Sequence, residues 1–474
     1  MEHKSILLGE LDLSDIQMGW PIPPHVDKTV KGEALSVGGR EFAHGVWMNA
    51  NCRIDIALDG RGFRFTGLCG PDDITAGSYP STMEFQVLCD GTMAFRSGVM
   101  TVGMQAQAVE VELQGVETLS LVLDSVDGNV GNAQGDWIEP VISYVGGQPP
   151  FVRYPEARQD DDNPAPTDGY KAFHPGKSWY DTDGVKIQAH GGGLLKVDDT
   201  WYWFGEHKGG PTTWWPKARV DVIGVSCYRS RDLLNWENMG LALPAVPDAP
   251  SSPLHPDNVL ERPKVLYCAN TGQYVMWVKS EDAGYTWGHA LVATSDRPEG
   301  PYAVRNSFRP AGMKFGDFAL HENDGVGYLI WCGGDGETTR IYRLSATCTS
   351  LADPVAEFYE GAKREAPALL QRPEGYYLIT SGKSGWSPNP TRYAFAESLA
   401  GPWEDRGELF HGEGSHNSFR SQPTFVLEYH GRIIYMGDRW NQRDLGDSRY
   451  VWLPLTLARG ALRGEWMDSW SLYT

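Results

Sequence analysis

Thr200-Trp-Tyr-Trp-Phe, Tyr274-Val-Met-Trp-Val, Gly327-Tyr-Leu-Ile-Trp, Gly375-Tyr-Tyr-Leu-Ile and Arg432-Ile-Ile-Tyr-Met are short apolar runs rich in aromatic and β-branched residues. Runs of this kind bounded by turns read as strands. A turn stands before each one: Asp198-Asp, Thr271-Gly, Asp324-Gly, Pro373-Glu-Gly and His430-Gly. Five recurrences of one strand-and-turn unit predict five blades of a β-propeller over residues 170–474. Phrases at the blade ends recur as well, in Ser230-Arg-Asp-Leu-Leu-Asn-Trp, Ser295-Asp-Arg-Pro-Glu-Gly-Pro-Tyr and Ser398-Leu-Ala-Gly-Pro-Trp.

Upstream, residues 1–148 alternate more simply. Arg53-Ile-Asp-Ile-Ala-Leu, Asp59-Gly and Phe63-Arg-Phe-Thr read as two strands around a hairpin turn, and Met83-Glu-Phe-Gln-Val-Leu, Asp90-Gly and Thr92-Met-Ala-Phe repeat the pattern. Short antiparallel strands at this spacing predict an N-terminal β-sandwich. Residues 149–169 are rich in Pro, Gly and acid and lack periodicity, which is the composition of a linker. The expected fold class is therefore all-β, a sandwich followed by a propeller.

The bulk numbers agree. A chain of 474 residues exceeds one ordinary domain. Its 55 glycines and 31 prolines supply many turns. The net charge of −20 repels phosphate backbones and anionic bilayers, so neither nucleic acid nor a membrane is an expected partner. Fifteen of the 18 tryptophans lie from Trp179 onward, where they pack a core or offer flat faces to sugar rings. The seven cysteines form no CxxC pair or Cys/His cluster, so buried thiols are expected and no metal site. Met1–Asp15 contains no charged-then-apolar leader. As written the protein is expected in the cytoplasm, or outside it if a leader has been removed.

A propeller brings the innermost strands of all blades to one axis. Glu206, Glu261, Asp317, Glu365 and Gln422 each stand at the edge of an apolar run, where five successive polar residues are hard to explain by solvent exposure. Converging carboxylates beside aromatic surface suit glycoside hydrolysis, which needs a protonated acid for the leaving oxygen and a second group for water or the anomeric carbon.

The C-terminal part resembles glycoside hydrolase family 43, and within it the exo-β-1,3-galactanase group. The matching phrases are Ile187-Gln-Ala-His-Gly-Gly-Gly, Trp203-Phe-Gly-Glu, Glu261-Arg-Pro-Lys-Val, Arg364-Glu-Ala-Pro-Ala, Thr380-Ser-Gly-Lys-Ser-Gly-Trp-Ser-Pro-Asn, Ser421-Gln-Pro-Thr and Tyr435-Met-Gly-Asp-Arg-Trp-Asn. The resemblance implies an inverting enzyme, without a cofactor in catalysis, that releases galactose from β-1,3-galactan. Family members usually carry a base Asp in the first blade; residues 187–193 have no carboxylate, a departure shared by the galactanase group. The resemblance assigns the acid to Glu365 and the water-directing role to Gln422, with a proton relay through the imidic tautomer. An alternative keeps Glu261 or another acid as base and leaves Gln422 to position water. Asp317 would tune the acid, while Glu206, Glu261 and Glu357 would bind sugar hydroxyls or hold the constellation together. His190 either touches substrate or is an ordinary hydrogen-bonded histidine, and Trp386, Asn389, Asp438, Trp440 and Tyr450 fall in phrases that match the pocket rim.

The N-terminal segment resembles the NPCBM carbohydrate-binding module through Gly38-Gly-Arg-Glu-Phe-Ala-His-Gly, Phe85-Gln-Val-Leu-Cys-Asp-Gly and Gly135-Asp-Trp-Ile-Glu-Pro. That resemblance implies sugar binding, with a purely structural role as the alternative, and allows a structural calcium, although no loop has an unambiguous ligand spacing. His44 and Trp137 read equally as sugar contacts and as core or turn residues.

Three other functions compete. Ser280-Glu-Asp-Ala-Gly-Tyr-Thr-Trp fits the Asp-box of sialidases, but a sialidase repeats the box and adds an arginine cluster. A non-catalytic carbohydrate-binding protein would lack the acid and Gln422 pairing. An α-L-arabinofuranosidase or β-xylosidase would keep the fold and acid and change the sugar.

Overall fold

The computed structural model describes all residues except 1–2, 14–15, 17, 19–22, 77–80, 128–131, 147–148, 154–165, 214–218, 334–337, 384, 387, 413, 443 and 473–474. The chain divides into two compact units, broadly residues 1–160 and 161–474. Strands dominate both, and the described helices are short 3-10 segments of three to six residues.

The first unit contains two six-stranded sheets. They share one core, in which Trp137 meets Phe65 and Phe85 edge-to-face at centroid distances of 5.9 and 5.4 Å. Trp137 is fully buried and thus a core residue, whereas His44 is exposed and pairs with Asp27. The Asp90-Gly turn closes a hairpin between Thr82–Cys89 and Thr92–Arg96. The Asp59-Gly turn does not. Cys52–Ala57 pairs with Thr118–Ser125, while Gly62–Pro71 pairs with Gln134–Val145 in the other sheet. Both strands bury a face against the same core, and crossing between sheets achieves this from opposite sides. Phe151–Arg153 pairs with Cys52–Ala57, so sheet structure runs past the expected boundary at 148 into the segment read as linker. Residues 154–165 of that segment lie outside the described residues.

The second unit contains five successive sheets, four antiparallel ones of four strands and a last one of five, in which Phe410–His411 runs parallel to Ala461–Glu465. Their first strands are His190–Val197, Val259–Cys268, Phe318–Asn323, Arg364–Arg372 and Gln422–Tyr429. Each of these lies against the first strand of the next sheet, and the fifth lies against the first. The five aromatic runs are the second strands. Glu206 accordingly ends a second strand, opposite His190 at the start of the first.

Aromatic packing holds the first and fifth sheets together. Phe173 stacks on Trp470 at 4.3 Å, and Trp452 lies 5.1 Å from Trp179 and 5.0 Å from Trp203. Such pairs contribute about 0.5–1.5 kcal/mol each beyond the area they bury. Trp203, Trp236, Trp277, Trp331 and Trp452 are fully buried, so much of the tryptophan excess is core. The seven thiols are free, six of them buried.

Candidate active site

The backbone breaks its ladder where the polar residues stand. Register shifts interrupt four first strands, at His190/Gly193, Glu261/Lys264, Glu365/Ala368 and Pro423/Phe425. Proline has no N–H for a ladder and is tolerated in strands at bulges, which accounts for Pro263, Pro367 and Pro423. Arg262 and Ala366 have φ of +55° and +54°, the left-handed turn that a bulge of this kind needs. In the first sheet glycine takes that place. A Cβ on Gly191 (φ +58°) would lie 2.2 Å from Glu206 Oε1, so the Gly-rich turn exists to admit a carboxylate.

These breaks bring side chains of four sheets together. Gln422 Nε2 donates to Glu365 Oε1 at 2.8 Å. Gln422 Oε1 accepts from Trp440 Nε1 at 3.0 Å and from Arg262 Nη2. Indole and guanidinium nitrogens can only donate, so the amide has a single consistent orientation, oxygen toward Arg262 and nitrogen toward Glu365. Arg262 is the hub. Its Nε meets Asp317 Oδ2 at 2.9 Å, its Nη1 donates to Pro423 O at 3.1 Å, and its backbone N–H donates to Glu206 Oε1 at 2.7 Å. Lys208 Nζ pairs with Glu206 at 2.8 Å. Glu261 accepts from Lys279 Nζ at 2.7 Å and from Tyr285 Oη at 2.8 Å. Lys279 also lies 3.6 Å from Asp317.

Charge sorts the carboxyls into two kinds. Burial first, then the Asp317 charge, pushes the Glu365 carboxyl up to about 8 against the pull of Arg262, Lys279 and Lys383. Burial pushes Glu261 upward too, but the Lys279 and Lys208 charges and the bonds from Lys279 and Tyr285 prevail and hold it at about 2. These opposite directions favour the protonated form of Glu365 and the ionised form of Glu261. Burial raises Glu206. Lys264, whose Nζ donates to Gly191 O at 2.7 Å, falls to about 7 through burial and the Arg262 charge.

The remaining expected residues separate into groups. His190, Asp438 and Tyr450 are buried and bound to one another rather than set on a rim. His190 Nδ1 is 3.2 Å from Asp438 Oδ1, the His190 ring stacks on Tyr450 at 4.9 Å, and Tyr450 Oη donates to Ile187 O at 2.9 Å while accepting from Ala189 N at 2.8 Å. Asp438 Oδ2 accepts from Gly191 N at 2.9 Å, so this trio braces the Gly-rich turn. Trp440 is half-buried on Gln422. Asn389 Nδ2 donates to Gly382 O at 3.3 Å, and half-buried Trp386 lies in the same loop. Glu357 is on the outermost strand of the third sheet, 56% exposed, where its carboxylate accepts from Arg340 Nε at 3.2 Å. Its ion-pair partner there is Arg340 of the neighbouring strand, outside the Glu365 group. Sequence reasoning missed Arg262, Lys208, Lys264, Lys279 and Tyr285. For Arg262 and Lys264 a signal was present in Val259–Cys268, a buried apolar strand that includes three charged residues.

Among the described residues, no three His, Cys, Asp or Glu side chains gather as a cation site. In the N-terminal unit Asp72 and Asp136 are buried side by side, with Asp73 next to them. Burial and then the Asp72 charge raise Asp136 well above the usual carboxyl range.

A carboxyl with raised pKa beside an oriented amide, ringed by paired charges, is an arrangement able to give a proton to a leaving oxygen. Residues 193–430 match the profile of glycosyl hydrolases family 43, and the chain belongs to that family. Residues 4–143 match the NPCBM/NEW2 domain. A solved family 43 β-1,3-galactosidase bound to galactodeoxynojirimycin is 31% identical, with a TM-score of 0.60, over 63% of this chain and 100% of that one. An exo-β-1,3-galactanase of Phanerochaete chrysosporium, solved with β-1,3-galactotriose, is 35% identical with a TM-score of 0.59 over 64% of this chain and 68% of that one. Alpha-1,3-galactosidase B of Akkermansia muciniphila is 30% identical over 118 residues, 24% of this chain and 14% of its own length. The chain spans half or less of the length of the curated relatives it matches.

Proposed function

We propose that residues 170–474 form a five-bladed β-propeller hydrolase that removes galactose, with inversion, from the ends of β-1,3-linked galactan. The propeller reading is supported by five sheets whose first strands adjoin in cyclic order. The galactan reading is supported by the names of the solved relatives at 31% and 35% identity. The N-terminal unit, extended to include Phe151–Arg153, is proposed as a carbohydrate-binding β-sandwich.

The observation that carries the mechanism is the raised carboxyl of Glu365 in hydrogen-bond contact with Gln422. Inverting glycosidases hold acid and water-directing groups roughly 6.5–9.5 Å apart, so a sugar ring must enter by opening this contact. Glu365 then gives its proton to the glycosidic oxygen as the bond to the anomeric carbon breaks. Water oriented by Gln422 attacks the opposite face and gives its proton to the amide oxygen as the amide releases an Nε2 proton to solvent and passes to its imidic tautomer; return to the amide and uptake of a solvent proton by Glu365 complete the cycle. Arg262 and Trp440 fix the amide, Asp317 keeps Glu365 protonated, and Glu206 and Glu261 receive sugar hydroxyls. Every step is assigned to a side chain of the protein, and no cofactor is needed for any of them.

The test is hydrolysis of a matched panel: β-1,3-, β-1,4- and β-1,6-galactobiose, an α-L-arabinofuranoside and a β-xyloside. The proposal expects galactose from the β-1,3 compound above all others. Preferred cleavage of the arabinofuranoside or xyloside would replace the sugar while keeping the acid.

A further inference from the structure

The turn joining Gln273–Glu281 to His289–Ser295 carries the solitary Ser280–Trp287 motif, which the hydrolytic mechanism does not use. It is held from three directions. Asp282 Oδ1 accepts from the backbone N–H groups of Thr286 (2.5 Å) and Trp287 (3.2 Å), and its Oδ2 accepts from Thr286 Oγ1 at 2.9 Å. Glu281 Oε2 accepts from Gly288 N at 2.7 Å. Arg309, at the end of the outer strand, donates from Nε to Trp287 O at 2.7 Å and from Nη2 to Thr286 O at 2.9 Å.

All of these bonds converge on the residues flanking Tyr285. Its backbone stands at φ +57°, a conformation that costs a non-glycine residue about 1–3 kcal/mol and persists where surroundings impose it. The consequence is directional. Tyr285 leaves the turn toward the site, donates to Glu261 Oε1 at 2.8 Å and carries Lys279 Nζ over its ring at 5.7 Å. A sialidase-type motif occurring once thus aims one phenol rather than decorating a blade.

We infer that Asp282 and Arg309 are positioning residues for sugar binding: by clamping the 282–288 turn they hold the Tyr285 phenol on Glu261, so that phenol and carboxylate face the substrate as one preset pair. The side-chain hydrogen bonds of the two clamp residues run to Thr286 and Trp287, not to Glu365 or Gln422. They act on where a hydroxyl of the sugar is received, not on proton transfer. The choice of galactosyl probe rests on the proposed function, while the clamp itself rests on the hydrogen bonds above.

The experiment is a double-mutant cycle on the full chain with Asp282→Ala and Tyr285→Phe, read by kcat and KM on β-1,3-galactobiose and by calorimetric titration with galactose. Asp282→Ala is expected to raise KM by on the order of tenfold with kcat nearly kept, because uniform binding is what is lost. In the Tyr285→Phe background the same change should add less than about twofold, since residues acting through one another are not additive. Asp282→Asn retains an accepting oxygen and should restore near-normal KM, which separates positioning from misfolding, and Arg309→Met should follow Asp282→Ala. Multiplicative losses in the cycle, or a fall in kcat alone, would overturn the inference. If the wild type cleaves nothing on the panel, the proposed function fails, and the galactose titration of the same variants decides the clamp. Absence of a Kd difference between wild type and Asp282→Ala would then overturn it too.

Discussion

Replacing Asp317 by Asn removes the charge that, after burial, does most to keep Glu365 protonated. The carboxyl stands at about 8, against an ordinary 4.5. Two unit charges about 6 Å apart interact by roughly 3 kcal/mol at an effective dielectric near 20, which is on the order of two pKa units. The second consequence has the same sign. Arg262 and Lys279, which now share Asp317, would be left to stabilise the ionised form of Glu365. A general acid works only while protonated, so the alkaline limb of kcat/KM should move from near pH 8 to roughly pH 6–7. The assay is initial rate on β-1,3-galactobiose at constant ionic strength from about pH 5 to 10, with thermal unfolding at each pH to exclude loss of fold. An alkaline limb that stays in place, or moves upward, refutes both the proton-donor role of Glu365 and the tuning role of Asp317.

Glu365→Gln should lower kcat by about 10²–10⁴, since an amide has no acid proton to give. Its stability should move the other way: the folded-state pKa lies above the unfolded value, so the contribution of Glu365 is whole below pH 4.5 and lost as pH rises through about 8. The unfolding midpoint of the variant, measured in urea, should therefore gain on the wild type between those limits. Arg262→Met should cost about 3–5 kcal/mol in the same assay, because Asp317 is left buried without its guanidinium partner. Removing residues 1–160 should reduce rates on polymeric galactan several-fold more than on the disaccharide; equal losses would assign that unit to stability.

The fold was legible where periodicity and punctuation agree. Each second strand announced itself by an aromatic run after a turn, and Glu261-Arg-Pro, Glu365-Ala-Pro and Gln422-Pro each mark a bulge, because proline disrupts a ladder where a polar residue stands. Pairing between distant strands was less legible. The Asp59-Gly turn looks like a hairpin in one dimension, and only the shared core reveals that it passes between sheets. In the site, the acids were visible because carboxylates are unusual beside apolar runs. Their cations were not. Lys279 and Lys208 sit at strand ends where lysine is ordinary, and their meaning appears only once Glu261, Glu206 and Asp317 arrive from other sheets. The same holds for His190 and Tyr450: both lie in a phrase shared with the family, but three-dimensional packing makes them braces of the Gly-rich turn.

The central claim is that Glu365 and Gln422 cooperate across one galactosyl ring to cleave with inversion. Proton NMR of the first minutes of β-1,3-galactobiose hydrolysis reads this directly, before mutarotation mixes the anomers. The account predicts that the newly released non-reducing galactose appears first as the α-anomer. Initial appearance of the β-anomer would mean a covalent intermediate and retention, and would contradict it.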